Sequence, residues 1–352
     1  MKGGFVDRVP NRLNGPSAVR KTHLVTGGAG FIGSYLTEAL LKRGQRVIAV
    51  DNESTGDWSN LSEVADHRQL TQVTGSVTDA GLMRELIWQA DVIYHLAAAV
   101  GVQLIANAPI ETIETNIYPT ELLFSELLQR WKGGAKVKCF LASSSEVYGK
   151  NPKETWHEED DLVFGPTHLA RWSYGASKAI DEFLALAYWR QYQLPVVVGR
   201  FFNVVGPRQT GRYGMVLPRF VQAALEGGPL IVHDDGQQQR CFAHVHDVVT
   251  GVLNLIDTDA ALGKVFNIGS DQPVTILELA RRVAAAVAPS PEIVFQSYAD
   301  AYSEDFEDVR RRVPCLDRVR QTIDFRIGYS LEQIIEEVVQ WQQARRAAED
   351  GG

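Results

Sequence analysis

The sequence predicts an α/β chain built on a doubly wound parallel sheet. Short apolar runs suited to buried strands recur between residues 21 and 200, and helical stretches separate them. A glycine cluster directly after the first run marks a strand–turn–helix unit.

The elements follow in order. His23 to Thr26 opens the first strand, and Ile32 to Lys42 forms a helix with Ile32, Leu36, Ala39 and Leu40 on one face. Gly44 stops that helix. Arg46 to Val50, Asp91 to Leu96, Val137 to Ala142 and Val196 to Arg200 read as further buried strands, with a helix near Leu82 to Trp88. Strands alternating with helices require right-handed crossovers and helices on both faces. From residue 201, Pro207, Gly211, Gly214, Pro218, Gly227, Gly228 and Pro229 interrupt the pattern, which predicts a smaller C-terminal lobe over 201–345. Val265 to Ile268 is expected back in the main sheet, and Leu331 to Trp341 as an amphipathic helix that frays beyond Ala344. Residues 1–20 read as a flexible arm, and 21–200 as the nucleotide-binding domain.

The composition is that of a globular protein, with 352 residues of which 45% are hydrophobic, enough for two units with substantial cores. A net charge of -8 argues against nucleic acid or an anionic membrane as partner. Cys139, Cys241 and Cys315 form no CxxC, so neither a disulfide framework nor a bound metal is expected, and a reducing cytoplasm fits. No apolar run approaches the roughly 18 residues of a membrane span.

Gly27, Gly30 and Gly33 have GxxGxxG spacing between the first strand and the first helix. Without β-carbons the backbone can approach a pyrophosphate, and the helix N-terminus supplies amide donors and a positive dipole end. Such turns are common, but strand, turn and helix in this order favour a Rossmann-type dinucleotide site. Asp51 ends the second strand, where a carboxylate accepts both adenosine-ribose hydroxyls and repels a 2′-phosphate, so NAD is expected over NADP. The plain alternative is that Asp51 caps the turn from Asn52 to Gly56.

Tyr174 and Lys178 lie four apart on a predicted helix and so share a face. An ammonium beside a phenol favours the phenolate and makes a base near neutral pH. YxxxK alone is usually structural. Here it follows a dinucleotide fingerprint and the strand end Ser143-Ser144-Ser145-Glu146, whose hydroxyls would face a ligand at the sheet's C-terminal edge. Serine and glutamate capping a turn is the competing reading.

Together TGGAGFIGSYL (26–36), DNESTG (51–56), HLAA (95–98), SSSEVYG (143–149), YGASK (174–178), RFFNVVGPR (200–208) and RCFAHVHDV (240–248) resemble the extended short-chain dehydrogenase/reductase family of nucleotide-sugar epimerases, dehydratases and decarboxylases. The likeness runs from Lys21 to Trp341. It implies that Gly27, Gly30, Phe31, Ile32, Gly33, Asp51, Asn52, Thr55, Gly56, Leu96, Ala97 and Ala98 hold NAD. Tyr174 would take the proton of the sugar C4 hydroxyl during oxidation to a 4-ketone. Lys178 would bind the nicotinamide ribose and depress the Tyr174 pKa, and Ser144 would hydrogen-bond the reacting oxygen. Asn203, Arg240 and Arg312 would contact the nucleotide-diphosphate sugar. One departure is Ser76, where relatives carry an acidic adenine contact. The resemblance also implies a homodimer packed through the Tyr174 helix and the helix near Glu114 to Leu128.

A 4-ketone can be reduced from its other face, lose a C5 proton, or, with a C6 carboxylate, lose carbon dioxide. Glu146 stands where dehydratases and uronate decarboxylases of the family carry glutamate. Phe306 to Pro314, with Arg312, resembles a segment of UDP-glucuronate decarboxylases, whereas Tyr213 to Arg219 matches them poorly. The decarboxylase reading is placed first, the 4-epimerase second and the 4,6-dehydratase third. A non-catalytic dinucleotide-binding regulator would keep the glycines and lose Tyr174 or Lys178, and both are present.

Overall fold

A computed structural model describes residues 20–99, 109–211, 215–298 and 308–350. Residues 1–19 of the expected arm, Tyr213 and Gly214, and Phe306 and Glu307 lie outside that description.

The chain runs β1 (Thr22–Thr26), α1 (Phe31–Lys42), β2 (Arg46–Asp51), β3 (Leu70–Thr74), α2 (Ala80–Gln89), β4 (Val92–His95), α3 (Pro109–Lys132), β5 (Lys138–Ser144), α4 (Ser173–Tyr192) and β6 (Val196–Phe201). It continues through β7 (Val204–Val205), α5 (Val216–Leu225), β8 (Leu230–His233), β9 (Gln239–Cys241), β10 (Ala243–His244), α6 (Val245–Asp257) and β11 (Lys264–Ile268). It ends with β12 (Pro273–Thr275), α7 (Ile276–Ala286), β13 (Ile293–Gln296), β14 (Arg311–Arg312), α8 (Asp317–Thr322) and α9 (Leu331–Asp350).

Seven strands form one parallel sheet in the order β11-β6-β5-β4-β1-β2-β3. The strand order reverses between β1 and β4, and a crevice opens there beyond their carboxyl ends. Continuous apolar runs suit these strands because both faces are covered. One apolar cluster joins α1 and α6 to one face, through Leu36, Leu40, Val248 and Val252. A second joins α2, α3 and α4 to the other, through Leu86, Leu123, Phe124 and Ala185. β11 pairs with β6 at the sheet edge, as the run Val265 to Ile268 predicts.

A third cluster packs α5, α7 and α9 around β8, through Leu217, Phe220, Leu230, Leu279 and Ile334. Three short sheets, β10-β7, β12-β9-β14 and β13-β8, accompany it. β9 and β14 matter most, because their pairing sets Arg240 beside Arg312 in register.

Two expectations change. The last helix does not fray at Ala344 but continues to Asp350. Alanine and arginine are good helix formers, so exposed Ala344–Ala348 stay helical, and Arg345 stacks its guanidinium 5.7 Å from the Trp341 ring. The second change is β3, whose polar sequence LTQVT concealed an edge strand. No helix among the described residues is long and apolar enough to cross a membrane.

Candidate active site

At the switch point a cavity of about 490 Å³ runs from the glycine turn to β14. Gly27, Gly30, Phe31, Ile32, Gly33, Asp51, Thr55, Leu96, Ala97, Ala98, Ser144, Glu146, Tyr174, Lys178, Asn203, Arg240 and Arg312 all line it. Asn52 and Gly56 do not. Asn52 is exposed and closes a turn by accepting from the Ser54 amide at 3.2 Å. Gly56 instead backs the glycine turn: a β-carbon there would stand 2.9 Å from the Gly30 nitrogen and from Asp51 Oδ2. Asp51 and Thr55 of the same segment reach the lining.

The glycine spacing has a direct steric cause. Gly27 adopts φ +71°, and its carbonyl lies where a β-carbon on Gly33 would be, 1.9 Å away. Thr26 fixes the opposite wall: its hydroxyl accepts from the Leu96 and Ala97 amides at 3.1 Å each and pairs with His95 at 2.9 Å. Asp51 is buried and already accepts from the Ala29 amide at 3.1 Å and the Glu53 amide at 2.7 Å. Burial raises its pKa, with these amides opposing. A close-approach backbone cradle, a helix N-terminus and a carboxylate at the β2 end fit the diphosphate and ribose of NAD. Gly33→Ala should therefore destabilise the fold by about 2–3 kcal/mol and abolish NAD retention, measured by thermal unfolding and cofactor content.

The chemical end of the cavity is assembled by β5, the turn after it and α4. Ser144 caps that turn, its Oγ accepting from the Glu146 amide at 3.2 Å. Helix α4 begins against the turn because Gly175 has no β-carbon: one would lie 2.4 Å from the Glu146 carbonyl. Tyr174 is thereby buried next to Ser144, with which its phenol hydrogen-bonds. Burial pushes the phenol pKa well up, the charges of Glu146 and Asp181 push it further, and only the Ser144 bond opposes them.

The Lys178 ammonium is 3.0 Å from Asp181 Oδ2, with both side chains buried.

Glu146 occupies the centre of a second arrangement. Its Oε2 meets Arg171 at 2.8 Å, and its Oε1 accepts from Arg312. Although burial opposes ionisation, the two guanidiniums hold its carboxyl well below the usual range. Glu146 is thus a fixed anion. Arg171 stands just before the helix that carries Tyr174, and the sequence reading gave it no role. The two arginines and one carboxylate leave one positive charge in the buried pocket. The Arg312 Nε is buried with no hydrogen-bond partner among the described residues. Uncompensated buried donors are costly and mark a ligand position.

Arg240 is buried and reaches Asp308 at 2.9 Å, and Asp308 also accepts from the Tyr298 hydroxyl at 2.7 Å. Burial first, then Arg312, lowers the Arg240 pKa to about 10. Arg208 and Arg219 line the same cavity and were not singled out as ligands. Arg208 is paired to Glu38 at 2.6 Å, and Arg219 contacts the His233 ring at 3.2 Å. Arg208 closes the RFFNVVGPR motif and Arg219 lies in the first turn of α5, positions whose side-chain direction the sequence alone does not give. Asn203 faces the cavity at φ +27°. Ser76 is not in the lining; its hydroxyl meets Thr78 at 2.7 Å.

Residues 23–269 match the NAD dependent epimerase/dehydratase family. The chain belongs to that family, and NAD is its cofactor. Among its relatives is UDP-N-acetyl-alpha-D-glucosaminuronate decarboxylase of Bacillus cytotoxicus, 38% identical over 92% of this chain and 98% of the relative. UDP-glucuronic acid decarboxylase 1 of Arabidopsis thaliana is 32% identical over 99% of this chain and 75% of that protein. Similar solved structures include UDP-glucuronic acid 4-epimerase from Bacillus cereus in complex with UDP-glucuronic acid and NAD. It has a TM-score of 0.81 and 25% identity, covering 92% of this chain and 99% of that one. The dTDP-glucose 4,6-dehydratase of Bacillus anthracis, in complex with NAD, has a TM-score of 0.79 and 27% identity, covering 93% and 98%.

Proposed function

We propose that this chain is a UDP-hexuronate decarboxylase working through transient oxidation at C4. The observation that carries the reading is the Arg171–Glu146–Arg312 group beside Tyr174, a buried site with one positive charge in excess. A sugar carboxylate neutralises that excess and can accept from the free Arg312 Nε. An uncharged hexose would leave it uncompensated.

NAD, when bound, accepts the hydride from C4. Tyr174 takes the C4 hydroxyl proton, with Ser144 holding the same oxygen. The resulting ketone is β to the carboxylate, so the C5–C6 bond electrons can move into a C4 enolate as carbon dioxide leaves. C5 takes a proton from solvent to restore the C4 ketone, and return of the hydride to C4 with the Tyr174 proton passing to the C4 oxygen would give the pentose alcohol. Glu146, held ionised, does not serve as the acid at neutral pH and instead fixes both guanidiniums in place. Lys178 donates to the nicotinamide ribose, and Asn203 and Arg240 bind the UDP portion. On this reading residues 21–200 chiefly hold NAD and 201–345 chiefly hold the sugar nucleotide.

Both curated relatives described above are named for UDP-uronate decarboxylation, which supports a UDP substrate. The 2-acetamido sugar of the more identical relative is the first substrate to try. The test incubates the protein and NAD with UDP-N-acetylglucosaminuronate, UDP-glucuronate, UDP-glucose, UDP-N-acetylglucosamine and dTDP-glucose, followed by mass spectrometry. Decarboxylation removes about 44 mass units and dehydration about 18. Products of unchanged mass from every sugar would replace this reading with 4-epimerisation.

A homodimer is part of the proposal. Ile110, Ile113 and Tyr118 on α3 and Ile180 and Phe183 on α4 are exposed, and Phe183 reaches 68%. Exposed apolar side chains on two packed helices are suited to a second copy. Phe183→Asp should convert the dimer to monomer, read by light scattering. The three free cysteines fit a reducing compartment such as the cytoplasm.

A further inference from the structure

The turn after β7 carries features that the scheme above does not use. Arg208 lies in it at φ +72° and Asn203, just before β7, at φ +27°, left-handed backbone that residues other than glycine rarely adopt. Such outliers persist only where surrounding contacts hold them. The Arg208 side chain finds those contacts on α1. Its Nη2 is 2.6 Å from Glu38 Oε1, its Nη1 donates to Ser34 Oγ at 3.2 Å, and its guanidinium lies 4.4 Å over the Tyr35 ring. The Tyr35 hydroxyl donates in turn to the Pro207 carbonyl at 3.4 Å.

Exposed ion pairs are usually worth little, but the Arg208 and Glu38 side chains are only 16% and 10% exposed. Paired in this way, the guanidinium brings no spare charge to a diphosphate, so its work is geometric. It ties the wall made by residues 203–210 to the helix whose first turn, Phe31 to Gly33, lines the opposite side.

The residue that this tie sets in place is Gln209, which lines the cavity. Its Nε2 donates to the Val204 carbonyl at 2.9 Å, which fixes the amide. Its Oε1 is buried and has no hydrogen-bond partner among the described residues. A buried acceptor without a partner is costly and calls for a donor. Diphosphate and carboxylate oxygens carry no proton at neutral pH, so only a hydroxyl or an N–H can meet it. The bonds to α1 hold the turn at the cofactor end of the cavity, where the sugar ring must sit for its C4 to face NAD.

We propose that Gln209 is a specificity-determining residue whose amide oxygen accepts from a hydroxyl or N–H of the sugar ring, and that Arg208 positions it there by latching the turn to α1. The inference rests on the cavity taking a sugar nucleotide beside NAD, not on which reaction follows.

Isothermal titration of UDP-glucuronate, and separately of UDP, into the NAD-loaded Tyr174→Phe protein tests this without turnover. Adding Gln209→Leu should weaken UDP-glucuronate about 10-fold and UDP by less than about 2-fold. Adding Arg208→Ala should do the same, with NAD content unchanged. The two changes together should be little worse than either alone, because both remove one contact. A parental affinity for UDP-glucuronate in either single variant, losses that multiply in the double variant, or equal losses for UDP and UDP-glucuronate would each overturn the proposal. Should the Arg208→Ala protein fail to fold, Glu38→Gln decides in its place. It keeps the shape of the side chain, weakens the latch and should show the same selective loss, about 3-fold or more; an unchanged affinity refutes the latch. No UDP-glucuronate binding to the Tyr174→Phe protein itself would refute the sugar-nucleotide reading, and this inference with it. None of these affinities depends on decarboxylation.

Discussion

Tyr174→Phe is expected to lower kcat by about 10³-fold while leaving NAD and UDP-sugar binding within a few-fold of the parent. The phenol is the group at which the C4 proton must leave, and positioned acid–base catalysis contributes about 10²–10⁴-fold. The change removes a single oxygen from a buried ring that packs at the start of α4 beside Ser144. Its folding cost is correspondingly small: the phenol loses one hydrogen bond, of about 1 kcal/mol. Stopped-flow measurement of NADH formation under single-turnover conditions separates oxidation from later steps. A fall confined to KM would mean that Tyr174 only binds.

Arg312→Ala is expected to reduce kcat/KM for the UDP-hexuronate by about 100-fold or more, with little change in affinity for UDP itself. The guanidinium is placed by β14, whose register beside β9 sets it next to Arg240, and it is held by Glu146. Truncating one member of a buried hydrogen-bonded charge pair costs about 2–5 kcal/mol, equal to about 30-fold to several thousand-fold. The loss should be selective. UDP-glucose, which carries no carboxylate, should bind Arg312→Ala about as well as the parent, and isothermal titration with both nucleotides checks the contrast. Equal losses for the two sugars would make Arg312 a diphosphate ligand.

The sheet was legible in the sequence because strands covered on both faces must be nearly continuous in apolar residues. RVIAV and VKCFLA leave little choice, and the glycine turn placed the crevice at the end of the first strand. LTQVT was unreadable for the opposite reason: β3 lies at the sheet edge, where polar residues are tolerated. In the site, periodicity brought Tyr174 and Lys178 onto one face but carried no information on which partner the ammonium would choose. Asp181, three positions on, reads as an ordinary surface acid until its burial is known. Arg171 was similarly hidden. It sits in a short turn before α4, and only the fold reveals that this turn opposes β14 across Glu146.

The most direct test of the two-arginine site and its chemistry is proton NMR of the product formed from UDP-N-acetylglucosaminuronate, or from UDP-glucuronate if that is the sugar turned over, in D2O with NAD. Loss of carbon dioxide leaves C5 to be protonated from solvent, so the account predicts a pentose product without C6 and with one deuteron at C5. A product that keeps its C6 carboxylate and its C5 proton, inverted only at C4, would contradict it.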